Sequence, residues 1–172
     1  MKWISAARSR GDGVISPTVA LVSAGVALMI LLVLTASVIR EVRAYSEDAA
    51  VADNRTTLRA QAGDIVAAVF SVDAAHWQSD RARARSMIAG DFANSYAAQL
   101  QRPPASGVAA VRWRAEAVAL VDVGTERGAT LIRASVTTRP DQGVEITEHS
   151  SVRADFASRD GRWLLTSVEV VQ

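Results

Sequence analysis

Hydrophobic and polar positions follow three successive patterns along this chain. From Thr18 to Ile39 the sequence reads TVALVSAGVALMILLVLTASVI without one ionisable side chain, between Pro17 and the charged Arg40, Glu41 and Arg43. At about 1.5 Å per residue a helix over this stretch is about 33 Å long, close to the ~30 Å hydrocarbon core of a bilayer. It is apolar on every side, which a helix inside a small soluble domain is not. A single transmembrane helix is therefore expected. The stretch exceeds the roughly 7–15 residues of a signal-peptide core and no small-x-small cleavage site follows, so an uncleaved anchor is expected.

The second pattern is helical. After the span, apolar residues recur at Val51, Leu58, Ala62, Ile65, Val66, Val69 and Phe70, while Asp48, Asp53, Arg55, Arg59 and Asp64 fall on the opposite face. This predicts an amphipathic helix from Arg40 to about Phe70, able to continue the membrane helix. Two shorter helices are expected at about Ser79–Ala89 and Asp91–Leu100, with Ser79 and Asp91 as N-caps. Phe92, Tyr96 and Leu100 stand at i, i+4 and i+8, a stripe that faces a core. Arg81, Arg83 and Arg85 splay around the helix axis and read as a solvated face.

Arg102-Pro103-Pro104 ends the helical period, and strict alternation takes over. Val111, Trp113, Ala115, Ala117, Ala119, Val121 and Val123 alternate with Arg112, Arg114 and Glu116, which predicts a long half-buried strand with the odd positions inward. Further strands are expected over Ala129–Thr138, Val144–Ala157 and Arg162–Val171. The turns are Gly124–Gly128, Pro140–Gly143 and the two-residue hairpin signal Asp160-Gly161. Helices followed by a four-stranded antiparallel meander give an α+β domain with the helices on one face of the sheet. That layout resembles the cystatin-like cone of the NTF2 and SnoaL superfamily, with its curved sheet. The expected organisation is a tail over 1–17, a transmembrane helix over 18–39 and an extracytoplasmic NTF2-like domain over 40–172.

Composition changes this picture only at the edges. A formal net charge of +1 provides no field for nucleic acid. The roughly 130 residues beyond the span suffice for one unstapled domain. No cysteine is present, so disulfides, thiolate metal sites and a Cys nucleophile are excluded. Lys2, Arg8 and Arg10 precede the span against Arg40 and Arg43 after it, which orients the N-terminus to the cytoplasm and the domain outside the plasma membrane.

Candidate chemistry is sparse. Asp73, His76 and Asp80 share one short segment, with His76 and Asp80 at i, i+4, the spacing of a carboxylate-oriented general base; a solvated helix start accounts for the same pattern. Glu145, Thr147 and His149 share one face of a strand, as exposed polar residues do. The two histidines are far apart and the carboxylates scattered, so no zinc or calcium spacing appears. No phosphate-binding Gly loop and no nucleophile elbow is found. The sequence therefore predicts no catalytic, cofactor or metal residues and no cofactor. Trp77, Phe92, Tyr96 and Trp113 are the candidates to line a cavity between sheet and helices, with aromatic core filling as the alternative.

The closing stretch Arg159-Asp-Gly-Arg-Trp163-Leu-Leu165-Thr-Ser-Val168, together with Asp73-Ala-Ala-His-Trp77 and Ala89-Gly-Asp-Phe92-Ala-Asn-Ser-Tyr96, resembles the Mce-associated membrane proteins of actinobacteria. The resemblance implies a non-catalytic accessory subunit beside an Mce-type system that moves lipids, sterols or fatty acids across the envelope. Its partners would be the bilayer, Mce proteins and a lipid ligand, with no nucleic acid. The same anchor-plus-cone layout also resembles the VirB8-like assembly factors of type IV secretion and conjugation. A membrane-tethered SnoaL-like isomerase or hydrolase is the enzymatic alternative.

Overall fold

Alternating strands joined by tight turns have one economical solution, an up-and-down antiparallel sheet, and the chain adopts it. The computed structural model describes the backbone of residues 17–171, and side chains chiefly from Tyr45 onward. Two compact units divide the chain, 1–45 and 46–172. Helix α1 is Pro17–Phe70. In the first unit, Met29 and Thr35 are exposed. The other side chains of the predicted span lie outside the described residues, as does the predicted tail up to residue 16. Among the described residues no helix is long and apolar enough to cross a membrane.

The second unit has the α+β architecture expected. After α1 come β1 (Val72–Asp73), α2 (Trp77–Arg85), α3 (Gly90–Tyr96), a 3-10 turn over Gln99–Gln101, then β2 (Val108–Val123), β3 (Arg127–Pro140), β4 (Ile146–Arg159) and β5 (Arg162–Val171). The sheet order is β1-β2-β3-β4-β5, antiparallel throughout. It thus has five strands where four are expected. The extra one pairs Val72 with Val111 and Asp73 with Ala110, and two residues are too few to show a period.

The core lies between α1 and the sheet. Leu58, Ala62, Ile65, Val66 and Val69 are buried, and the expected polar face of α1 is exposed. They meet Ile132, Val152, Ala154, Phe156, Trp163 and Leu165 from the strands. The approach is close: a Cβ at Gly63 would lie 2.7 Å from the Cβ of Ala115, and one at Gly128 would collide with Leu58. Asn54 Nδ2 donates to the carbonyls of Gly124 and Thr125 at 3.0 and 2.9 Å, tying α1 to the β2–β3 turn. Leu165 N donates to Met87 O and Ala89 N to Leu165 O, so the segment before α3 covers part of the β5 edge. Asp160 and Gly161 take φ of 51° and 73°, the double left-handed geometry of a type I′ hairpin.

Bulges correct the predicted inward face of β2. Ala115 pairs with Ala134 but Ala117 with Arg133, leaving Glu116 as an extra residue. A one-residue insertion reverses every later side chain. Trp113 and Ala115 point inward, then Val118 and Leu120 pack on the core, while Ala117, Ala119 and Val121 are exposed. A second bulge at Val121 returns Val123 to the core. In β5 the same device at Thr166 moves the inward phase from Leu165 to Val168.

The short helices also differ in detail. Helix α2 starts at Trp77, so Ser79 lies inside its first turn; its hydroxyl donates to His76 O at 2.8 Å in place of capping the helix. Asp91 likewise lies within α3, whose cap position is Ala89. Arg81 is buried at 6 % exposure, against the solvated face expected for all three arginines.

Candidate functional site

Asp73, His76 and Asp80 do come together, at the β1–α2 turn. Asp80 Oδ2 accepts from Asp73 N at 2.9 Å, Asp73 Oδ1 accepts from Ala75 N at 2.9 Å, and Asp73 Oδ2 meets Arg139 Nη2 at 3.4 Å. Both carboxylates thus serve backbone N–H groups and an ion pair that fasten the turn to β3. His76 precedes α2 and is exposed, its carbonyl accepting from Asp80 N and Ser79 Oγ. The carboxylate-oriented base that this spacing suggests would have a carboxylate aimed at the His76 ring. Here the carboxylates are aimed at backbone N–H groups and Arg139.

His149 belongs to another group. On the helix-free face of the sheet, Glu116 lies 3.1 Å from His149 Nδ1 and 3.4 Å from Arg133 Nε. Thr147 and Thr137 share a hydroxyl bond of 2.9 Å, and Arg153 pairs with Asp155 at 3.5 Å. These groups stand in register across β2, β3 and β4: Arg112 opposite Thr137 opposite Thr147, and Arg114 opposite Ser135 opposite His149. Among the described residues no group of three or more His, Asp or Glu side chains could hold a metal ion.

Of the candidate cavity residues, Phe92, Tyr96 and Trp113 gather around Phe70. The ring centroids lie 6.5, 5.7 and 5.1 Å from Phe70, and Phe92 stacks on Tyr96 at 5.2 Å. All four rings pack against the buried core. Trp77 begins α2 and is half-buried. Beside the aromatic cluster lies the buried Arg81, which bonds to the Tyr96 hydroxyl. Its Nε has no hydrogen-bond partner. Burial pushes the Tyr96 hydroxyl above its ordinary value, and the Arg81 charge and hydrogen bond pull the other way.

The clefts lie elsewhere. A groove of about 350 Å³ on the helix-free face is lined by Arg112, Arg114, Ser135, Thr137, Arg139 and Glu145. A smaller cleft of about 130 Å³ shares Arg112 with it and reaches Asp73, Asp80 and Arg83. A more apolar hollow of about 460 Å³ lies between α1 and β5, with Ile65, Met87, Trp163 and Leu164 in its walls. The arginine groove could not be read from the sequence, because its members join only through the β2–β3 register. The alternation of Arg112 and Arg114 is the one local signal of it.

No family model matches the chain, and no curated protein matches it. Among solved structures it is similar to the crystal structure of an IcmL-like type IV secretion system protein from Legionella pneumophila. Identity is 15%, with 68% of this chain and 91% of that chain covered, at a TM-score of 0.55. That likeness shows the fold. The α+β cone is thereby a shared architecture, with helices packed on one side of a curved antiparallel sheet.

Proposed function

We infer that this chain is a membrane-anchored, non-catalytic subunit that helps assemble an envelope-spanning apparatus of the type IV secretion kind. One observation carries the reading: the likeness in fold to the IcmL-like type IV secretion system protein extends over 91% of that chain. Two features support it. Thr18–Ile39 has the length and apolarity of a membrane span. The carboxylates of Asp73 and Asp80 are engaged in turn-building and an ion pair, and His149 lies against Glu116, which favours binding over an isomerase or hydrolase role. An anchor confines the domain near its partners and lowers the orientational cost of meeting them. The partners would be the bilayer and neighbouring subunits of the apparatus.

The accessory role beside an Mce-type lipid transporter draws on Asp73 to Trp77, on Ala89 to Tyr96 and above all on the closing stretch through Val168. Asp160 and Gly161 make the hairpin turn there, and Trp163 and Leu165 fill the core. Those residues are accounted for by folding, so they speak for an architecture before they speak for a lipid or an Mce partner.

Affinity purification of the tagged full chain from native membranes, followed by mass spectrometry, tests the inference. Recovery of secretion or conjugation subunits is expected. Recovery of lipid-transport permease and Mce proteins instead would replace it with the accessory reading.

A further inference from the structure

The helix-free face of the sheet carries Arg112, Arg114, Arg133, Arg139 and Arg153. Three of them are answered: Arg133 by Glu116, Arg139 by Asp73 and Arg153 by Asp155. Arg112 and Arg114 have no carboxylate within 4 Å among the described residues. They are exposed, they lie on the floor of the groove, and the hydroxyls of Ser135 and Thr137 stand opposite them on β3. On that side of β2 the strand β1 ends at Val111, so among the described residues no strand flanks the arginine row.

We propose that this groove binds an acidic, extended segment of a partner protein, with two carboxylates seated on Arg112 and Arg114. Residues i and i+2 of a strand project to the same side about 7 Å apart. An extended chain with acidic residues at alternate positions has that same spacing, so each carboxylate meets one guanidinium fork in bidentate geometry. The neighbouring hydroxyls can donate to the remaining carboxylate oxygens. Glu145 at the groove's end limits the run of positive charge to a short segment. The occupant is a peptide and not a membrane surface, because anionic bilayers are held by clusters of about four to eight basic residues, and with three of this face's five arginines already paired to carboxylates only Arg112 and Arg114 are left. Nucleic acid is disfavoured by the overall net charge of +1. The proposal rests on the interaction role inferred above and names the chemistry of its contact.

The test uses the full chain in detergent micelles and a fluorescein-labelled peptide of about eight residues in which glutamate alternates with threonine. Fluorescence anisotropy should show binding that weakens as NaCl rises from about 50 to about 300 mM. Arg112→Gln or Arg114→Gln should weaken it about tenfold, and the double variant further. The charge-matched control Arg55→Gln/Arg59→Gln on α1 should bind as the native chain does. Equal affinity of the native chain and the double variant, or of the glutamate peptide and its glutamine counterpart, would overturn the proposal. So would displacement of the label by water-soluble short-chain phosphatidylserine at lower concentration than by unlabelled peptide, since a lipid headgroup would then be the better occupant. If native-membrane purification recovers the same subunits with the double variant as with the native chain, the groove assignment falls while the assembly role stands.

Discussion

Replacing Gly63 by Ala tests how closely α1 is held against the sheet. The exchange gains about 1 kcal/mol of helix propensity. It also brings two Cβ atoms to 2.7 Å, that of residue 63 and that of Ala115, with Val118 Cγ2 at 3.4 Å. Carbon atoms prefer about 3.5–4.0 Å, so α1 must retreat by roughly an ångström from β2. Leu58, Ala62 and Val66 would then lose contact with the strands they pack on. Overpacking of this kind costs about 1–3 kcal/mol, which exceeds the propensity gain, so Gly63→Ala should destabilise by about 1 kcal/mol. Ala115→Gly alone should cost about 0.5–1 kcal/mol for glycine in a strand. In that background the obstructing methyl is gone, and Gly63→Ala should become stabilising by about 1 kcal/mol. The double-mutant cycle should thus show a coupling of about 1–3 kcal/mol. Urea unfolding of the full chain in mild detergent, followed by tryptophan fluorescence, measures it, because Trp113 and Trp163 pack at the α1–sheet interface. Additive single effects, or a Gly63→Ala chain stabilised by the full propensity gain, would refute this packing.

Three other outcomes are expected. Tyr96→Phe removes the partner of the buried Arg81 and should cost about 1–3 kcal/mol at neutral pH. The raised Tyr96 value also adds stability that is fully present below the ordinary tyrosine range near 10 and is lost as pH rises through the folded-state value; thermal melts from neutral to strongly alkaline pH should show that loss in the native chain and not in the variant. Asp80→Ala leaves Asp73 N without its acceptor and should lower stability by about 1 kcal/mol, readable in the same urea titration, with Asp80→Asn milder because its amide oxygen can still accept. Fused at the C-terminus, alkaline phosphatase should be active and β-galactosidase inactive; the reverse pattern would overturn the inferred orientation.

How much of the molecule could be read in advance depends on how local its determinants are. The hairpin at Asp160-Gly161 and the bounds of β5 follow from a few adjacent residues, and both are legible. So is the buried face of α1 from Leu58 to Val69, because a 3.6-residue period persists over three turns. The face of β2 beyond Ala115 is not legible. A run of apolar residues at both odd and even positions, Ala117 to Val121, leaves the two phases equally apolar, and only pairing with β3 reveals the bulge at Glu116. Arg81 reads as solvated because burial of a guanidinium depends on Tyr96, which reaches it from another helix. The arginine groove depends on register in the same way: Arg112 and Arg114 are visible in sequence, but Ser135, Thr137 and Arg139 join them only across the β2–β3 ladder.

Cross-linking in living cells most directly tests the claim that this domain works by contact with other subunits. A photoreactive amino acid at position 114, in the groove, should yield a defined adduct with another subunit of a type IV secretion-like apparatus. The same probe at position 59, on the solvent face of α1, should yield none. If position 114 alone gives no subunit adduct, the groove assignment falls; if no exposed position across the domain cross-links to another subunit while the chain sits correctly in the membrane, the account of an anchored assembly subunit is contradicted.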